Sequence, residues 1–342
     1  MRRSGAAAVA QVPAPLALRS GRSATCQVFC FPPAGGSPAS FGAWAVCAPE
    51  DWNLYATPTP GLVGLSGGGD VDWPAAIELI TDGITARDDG TPRVFFGHFL
   101  GAVTAIAVTG ELKRRGLRPP ALIGVSACPS KGTKELFAGF DAIADDDLPL
   151  SLVRLGVVQP AMLSSTALRA TTSRMFRADM RLARDSDHER LLPLDVPLTA
   201  FGGERDRLVK PTEMPSWCVK TSNFLGTRIY DAAHAYPSTH ATKVVADFAA
   251  DVRICVQSKR TARQPSADVG GKTGGGVTAG PGAGAGADSG TGADSRTGSN
   301  SGPRPVPGPP PNAGQPGPGY SPAGRPVHGR SQRPSGDRRP GR

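Results

Sequence analysis

Between residues 23 and 257, short apolar runs alternate with stretches whose apolar positions recur every three or four residues. The runs at 25–31, 53–57, 93–97, 121–125, 197–201 and 227–230 are mostly apolar at consecutive positions, as in strands covered on both faces. The second is stopped by Pro58 and Pro60, which cannot donate to a ladder. Helical spacing appears at 39–48 (Phe41, Trp44, Ala45), at 72–86, from the glycines near 97–101 out to about 115, and at 239–255 (Val244, Val245, Phe248). Strands alternating with helices predict an α/β fold: a mostly parallel sheet with helices on both faces. From about 134 to 190 the pattern is helical only. It opens on Asp145, Asp146 and Asp147 and carries Arg169, Arg174, Arg177, Arg181 and Arg184. A helical insertion after a mid-sheet strand predicts a lid.

The two ends read differently. Residues 1–22 hold four arginines and no acid, and the alanine-rich run at 5–10 is broken by Gln11 and Pro13, which argues against a secretory leader. Residues 258–342 are Gly, Pro, Ala, Ser, Thr and Arg with almost no large apolar side chain, so they are expected to form a disordered tail, with 303–318 rich in proline. The formal charge of +9 resides at these ends, and the segment between them is slightly acidic. Basicity is therefore no argument for nucleic-acid binding by the folded part. Cys26, Cys30, Cys47, Cys128, Cys218 and Cys255 form no C-x-x-C pair and no zinc spacing, which points to a reducing, cytoplasmic compartment. No stretch has the length and apolarity of a membrane span. The predicted organisation is an arm at 1–22, a folded domain at 23–257 with its lid at about 134–190, and a tail at 258–342.

The organising stretch is Val94-Phe95-Phe96-Gly97-His98-Phe99-Leu100-Gly101-Ala102. A buried strand, a turn flanked by glycines and an apolar helix form the setting of the G-x-S-x-G nucleophile elbow. Gly97 and Gly101 stand two residues either side of the centre, where a side chain would collide with a neighbouring backbone. The central residue is Phe99, which has no atom able to attack a carbonyl. By itself the stretch reads more readily as an ordinary strand-to-helix connection with glycines for close packing.

Other parts of an acyl-transfer site follow in order. Gly202-Gly203-Glu204-Arg205-Asp206 leaves a strand and presents Asp206 at the sheet's carboxyl edge, and Asp231-Ala232-Ala233-His234 brings a histidine there from the last strand. The order of elbow, acid and histidine is that of α/β-hydrolases. Pro32-Pro33-Ala34-Gly35-Gly36 fits an oxyanion loop, in which the Ala34 amide would pair with that of Leu100. Singly, Asp206 reads as turn chemistry and His234 as a loop residue; the order is what argues for a site. His98, His188 and His240 read as structural or solvent-facing. Ser126 and Cys128, at the end of the next strand, are the alternative nucleophile positions, although a buried structural thiol is the simpler reading of Cys128.

These residues together resemble the type II thioesterases of polyketide and nonribosomal peptide pathways, within the α/β-hydrolase superfamily. The resemblance runs from about residue 26 to 248. It rests on Cys30-Phe31-Pro32-Pro33-Ala34-Gly35-Gly36-Ser37, on the elbow at 97–102, on Val125-Ser126-Ala127-Cys128, on Phe176-Arg177-Ala178-Asp179, on the segment 202–209, and on Ala232-Ala233-His234-Ala235. It implies an α/β-hydrolase fold with a lid and no cofactor or metal. The implied partner is an acyl or peptidyl carrier protein whose phosphopantetheine arm bears the acyl chain to be hydrolysed. It assigns Asp206 and His234 as catalytic partners, Phe99 as the substituted nucleophile position, and Ala34 and Leu100 as oxyanion amides. The departures gather at the site: Phe99 for serine, Leu62 where the family's Pro-Gly-Arg has its arginine, and Ala232 and Ala233 for glycines. Two functions follow, thioester hydrolysis impaired by Phe99 or a non-catalytic protein that binds an acyl chain or carrier.

Overall fold

The computed structural model describes residues 14–21, 23–66 and 71–261, all within the first of the two units into which the chain divides, Met1–Gly271. The strands are β1 (Leu16–Arg19), β2 (Cys26–Phe31), β3 (Trp52–Ala56), β4 (Arg93–His98), β5 (Ile123–Ser126), β6 (Leu198–Gly203) and β7 (Phe224–Tyr230). The helices are α1 (Gly42–Cys47), α2 (Pro60–Ser66), α3 (Trp73–Thr85), α4 (Leu100–Arg114), α5 (Thr133–Ala138), α6 (Leu148–Leu155), α7 (Thr166–Arg184), α8 (Tyr236–Thr239) and α9 (Ala241–Thr261). Among the described residues one sheet runs β1-β3-β2-β4-β5-β6-β7. Strands β2 to β7 are parallel and β1 is antiparallel to β3.

The apolar runs lie in the sheet's interior because both faces are covered. Successive residues of β4 point to opposite sides. Phe95 packs with Phe29 and Phe31 on one face. Phe96 meets Trp44 of α1 and Phe201 and Phe248 on the other. The cluster around Phe95 continues through α3 and α4 into the lid at Phe137, Phe140 and Phe176. The second cluster seats α9 through Val244, Val245 and Phe248. Asp72 caps α3 by accepting from the Ala75 amide at 2.9 Å.

Two boundaries differ from the expectation. The predicted arm at 1–22 includes a strand at its end: Leu16 pairs with Ala56 and Ala17 with Tyr55. The open edge of β3 supplies unpaired backbone groups, and Arg19 Nη1 fastens the strand to the Ala48 carbonyl at 2.6 Å. At the other end α9 continues to Thr261, past the expected limit of 257. Residues 1–13 of the arm and the predicted tail beyond 261 lie outside the described residues. No helix among the described residues is long and apolar enough to cross a membrane.

Candidate active site

The elbow is built as the glycine spacing requires. A Cβ on Gly97 would lie 2.5 Å from the backbone of Ala102, and one on Gly101 would lie 2.6 Å from the Phe31 carbonyl carbon. Only hydrogen at both positions lets α4 start directly against β2 and β4. Phe99, between them, has φ 55° and ψ −115°. For a bulky residue that backbone costs on the order of 1–3 kcal/mol. The surroundings hold it there: its amide donates to the Ser126 carbonyl at 2.8 Å, and its ring is fully buried. The ring meets Phe137 of α5 edge-on at 5.3 Å and Phe140 at 6.2 Å, so it is continuous with the lid's aromatic core.

Asp206 and His234 come together at the same edge of the sheet. His234 Nδ1 lies 2.7 Å from Asp206 Oδ2, and both side chains are fully buried. Asp206 Oδ1 is held by the Leu208 and Val209 amides at 2.8 and 3.1 Å. An ion pair between Arg205 and Asp231 joins the two loops outside the dyad. With Nδ1–H donating to the carboxylate, Nε2 is the atom available for proton transfer. That atom is enclosed and has no hydrogen-bond partner. Its ring meets Phe99 edge-to-face at 5.3 Å and 82°. Gly156, at the end of α6, closes the other side: a Cβ there would lie 3.3 Å from His234 Cβ.

The 32–36 loop, from which the Ala34 amide was expected to serve an oxyanion, sits against the elbow, and neither the Ala34 nor the Leu100 amide enters a backbone hydrogen bond between described residues. Its position is set by a residue to which sequence reasoning gave no role. Asp179, fully buried on α7, accepts from the Gly35 amide at 2.8 Å through Oδ2 and from the Gly61 amide at 2.6 Å through Oδ1. One lid carboxylate thus pins both the 32–36 loop and the first turn of α2. Burial pushes this carboxyl up to about 7, against the opposing effect of the two amides and the Thr59 hydroxyl. The signal was present in the segment 176–179, yet nothing in one sequence says that a lid aspartate reaches two distant glycines.

The departures at 232–233 leave the dyad intact. Ala232 and Ala233 both avoid the left-handed backbone region, so a methyl group is tolerated at each. Leu62, in place of an arginine, brings no cation to α2 beside Asp179. Neither alternative nucleophile is available: Cys128 is buried, with its thiol pushed far up by desolvation, and the Ser126 hydroxyl is engaged by His98 and Tyr236 at 2.9 and 2.5 Å. Among the described residues no group of His, Cys, Asp and Glu could hold a metal ion.

His98, expected to be structural, lines a cavity of about 170 Å³ between the oxyanion loop, the 157–161 segment of the lid and the 235–238 turn. Gln159 reaches across to Ser238 at 3.1 Å. Burial, and then the neighbouring His234, push the His98 imidazole well below the usual histidine range, so it is neutral. Its ring lies 4.7 Å from that of His234.

Sheet order, lid, elbow and the acid–histidine pair define an α/β-hydrolase. Over residues 26–252 the chain matches the family model described as a thioesterase domain, and it belongs to that family. It is 30% identical over 193 residues to the AMB antimetabolite synthetase AmbE of Pseudomonas aeruginosa, covering 56% of this chain and 9% of that protein. It is 21% identical over 217 residues to the gramicidin S biosynthesis protein GrsT of Aneurinibacillus migulanus, covering 63% of this chain and 84% of that protein. The chain thus spans about a tenth of the first relative and most of the second. RedJ, a thioesterase from the prodiginine biosynthetic pathway in Streptomyces coelicolor, superposes with a TM-score of 0.58 at 25% identity, over 66% of this chain and 90% of that one.

Proposed function

We propose that this chain serves a polyketide or nonribosomal peptide pathway as a type II thioesterase-like protein that engages acyl chains on the phosphopantetheine arm of a carrier protein in the cytoplasm, with serine-dependent hydrolysis lost. The observation that carries the reading is the buried Phe99 ring, which occupies the nucleophile position and covers His234. An acyl-enzyme needs an oxygen or sulfur at that point, and phenylalanine has neither. The gramicidin S and prodiginine biosynthetic roles of GrsT and RedJ support the pathway context.

Hydrolysis without a nucleophile, by water activated directly at His234, would need that water within hydrogen-bond reach of Nε2. The enclosed Nε2 argues against it, so binding without turnover is the function the geometry supports. The test loads a carrier protein with a radiolabelled acyl chain and measures both release and complex formation. Release at the no-protein background, with acyl-carrier bound more tightly than the unloaded holo-carrier, is expected. Release above background that disappears in His234→Ala would overturn the reading.

A further inference from the structure

A further cavity lies at the opposite end of the strands from the elbow. It occupies about 190 Å³ between the segments entering β2 and β3 and the C-terminal half of α9. Its floor carries a donor without a partner. Trp52 opens β3 and is 3% exposed, with its ring edge-on to Phe248 at 6.0 Å. Two other buried tryptophans, Trp44 and Trp217, give their indole N–H to the carbonyls of Pro237 and Cys128 at 2.8 and 2.9 Å, as buried indoles usually do. Trp52 Nε1–H makes no hydrogen bond among the described residues, yet unlike His234 Nε2 it is not one of the enclosed orphan atoms. The small exposed part of Trp52 opens on the cavity that it lines, so the indole N–H is directed there.

Two opposite charges line the same cavity and do not meet. Asp51 spends Oδ2 on the Thr25 hydroxyl at 2.6 Å and leaves Oδ1 without a partner among the described residues. Arg253, exposed on α9, has no hydrogen bond or ion pair among them either. Pro49, Val252 and Val256 supply apolar walls beside the Trp52 ring. These groups select a ligand by charge. A lone carboxylate would face Asp51, a lone ammonium would face Arg253, and an uncharged guest would strip water from both charges with nothing in return. A molecule that carries both charges on neighbouring atoms meets each with its opposite, and the indole N–H adds a charge-assisted hydrogen bond to the carboxylate. The volume equals that of about six waters, the size of one amino acid and too small for a peptide.

We propose that this cavity binds a free α-amino acid with an aliphatic side chain. Its carboxylate accepts from Trp52 Nε1–H and pairs with Arg253, its ammonium donates to Asp51 Oδ1, and its side chain lies on Val252 and Val256. The site shares no residue with the elbow, the dyad or the cavity around His98, so it stands or falls independently of acyl-carrier binding.

The experiment titrates the full ¹⁵N-labelled chain with L-leucine, and in parallel with leucinamide and isocaproate, which lack its carboxylate and its ammonium respectively. The chain has four tryptophans, so four indole N–H signals are expected. The signal lost in Trp52→Phe, which keeps an aromatic ring against Phe248, belongs to Trp52. L-leucine should shift that signal saturably. Both analogues should bind about fivefold more weakly or worse, the effect of losing one exposed ion pair. Asp51→Asn, which can still accept from Thr25, and Arg253→Gln, at an exposed position, should each weaken leucine about fivefold as read from the same signal. An indole signal that leucine leaves in place, either analogue binding as tightly as leucine, or either variant binding leucine with wild-type affinity overturns the proposal.

Discussion

The lid is fastened by a carboxylate that carries its charge at a cost, and this makes Asp179 the most informative residue to perturb. Its carboxyl is raised from 3.8 to about 7, chiefly by burial. What faces it from loop 32–36 and α2 is uncharged: the Gly35 and Gly61 amides, with the Thr59 hydroxyl beside them. For a group whose folded pKa is raised, the contribution to stability is fully present below the unfolded pKa and is lost as pH rises through the folded one. A rise from 3.8 to about 7 corresponds to about 4 kcal/mol, withdrawn between pH 4 and a little above 7. Asp179→Asn preserves shape and removes the titration. Its carbonyl oxygen can still accept from one amide, but its NH₂ must face the other N–H, which costs roughly 1–3 kcal/mol.

The two chains should therefore behave differently along pH, not merely differ in stability. At pH 4 the wild type is expected to be the more stable by about 1–3 kcal/mol in urea unfolding. By pH 8 that advantage should vanish or reverse. Every other titrating group is common to both proteins, so the difference between the two curves isolates residue 179. Parallel curves from pH 4 to 8 would falsify the assignment of a titrating lid latch.

Three further substitutions test the same site. Phe99→Ser removes a fully buried ring packed on Phe137, Phe140 and His234 and should cost about 3–5 kcal/mol; the folded fraction should nonetheless gain labelling by a serine-directed fluorophosphonate, and mass spectrometry that finds no adduct at residue 99 would show that the dyad and elbow are not aligned for attack. Gly61→Ala places a Cβ 2.6 Å from both the Asp179 amide nitrogen and Oδ1, so thermal unfolding should drop by several degrees, an overpacking cost of about 1–3 kcal/mol; an unchanged midpoint would mean that the latch can move freely. Gly156→Ala combines φ +76° with a 3.3 Å approach to His234 Cβ and should destabilise by about 1 kcal/mol, read as a small fall in the urea midpoint, with a gain in stability counting against lid contact at that residue.

Much of this was legible in the chain because the sheet is buried on both faces. Short apolar runs such as 93–97, each followed by helical spacing, read as strands covered on both faces, and the glycines at 97 and 101 mark the turn where α4 presses on β2. Asp206 and His234 were placed by position along strands β6 and β7, and they meet. Tertiary features escaped. Leu16 and Leu18 give too short an alternation to announce an edge strand, which exists because β3 offers an open edge. His98 reads as a residue of a buried strand end, and it is one; its outer face is set by the distant 157–161 segment. Asp179 depends on two glycines 118 and 144 positions away, a separation no periodicity encodes.

That the acid–histidine pair remains is no argument that hydrolysis remains, because the fold uses both residues. Asp206 Oδ1 holds the Leu208 and Val209 amides, so it fixes the turn leaving β6 whatever His234 does. His234 in turn packs on Gly156 of the lid and on the His98 ring. On the proposed reading, a phenylalanine at the elbow does more than leave out a nucleophilic oxygen. Phe99 adds a ring that joins α5, the Phe140 turn and the dyad into one apolar body. Opening the lid would now expose that ring, at about 25 cal/mol for each Å² of apolar surface uncovered. The same ring that stands at the centre of the elbow therefore holds the lid down.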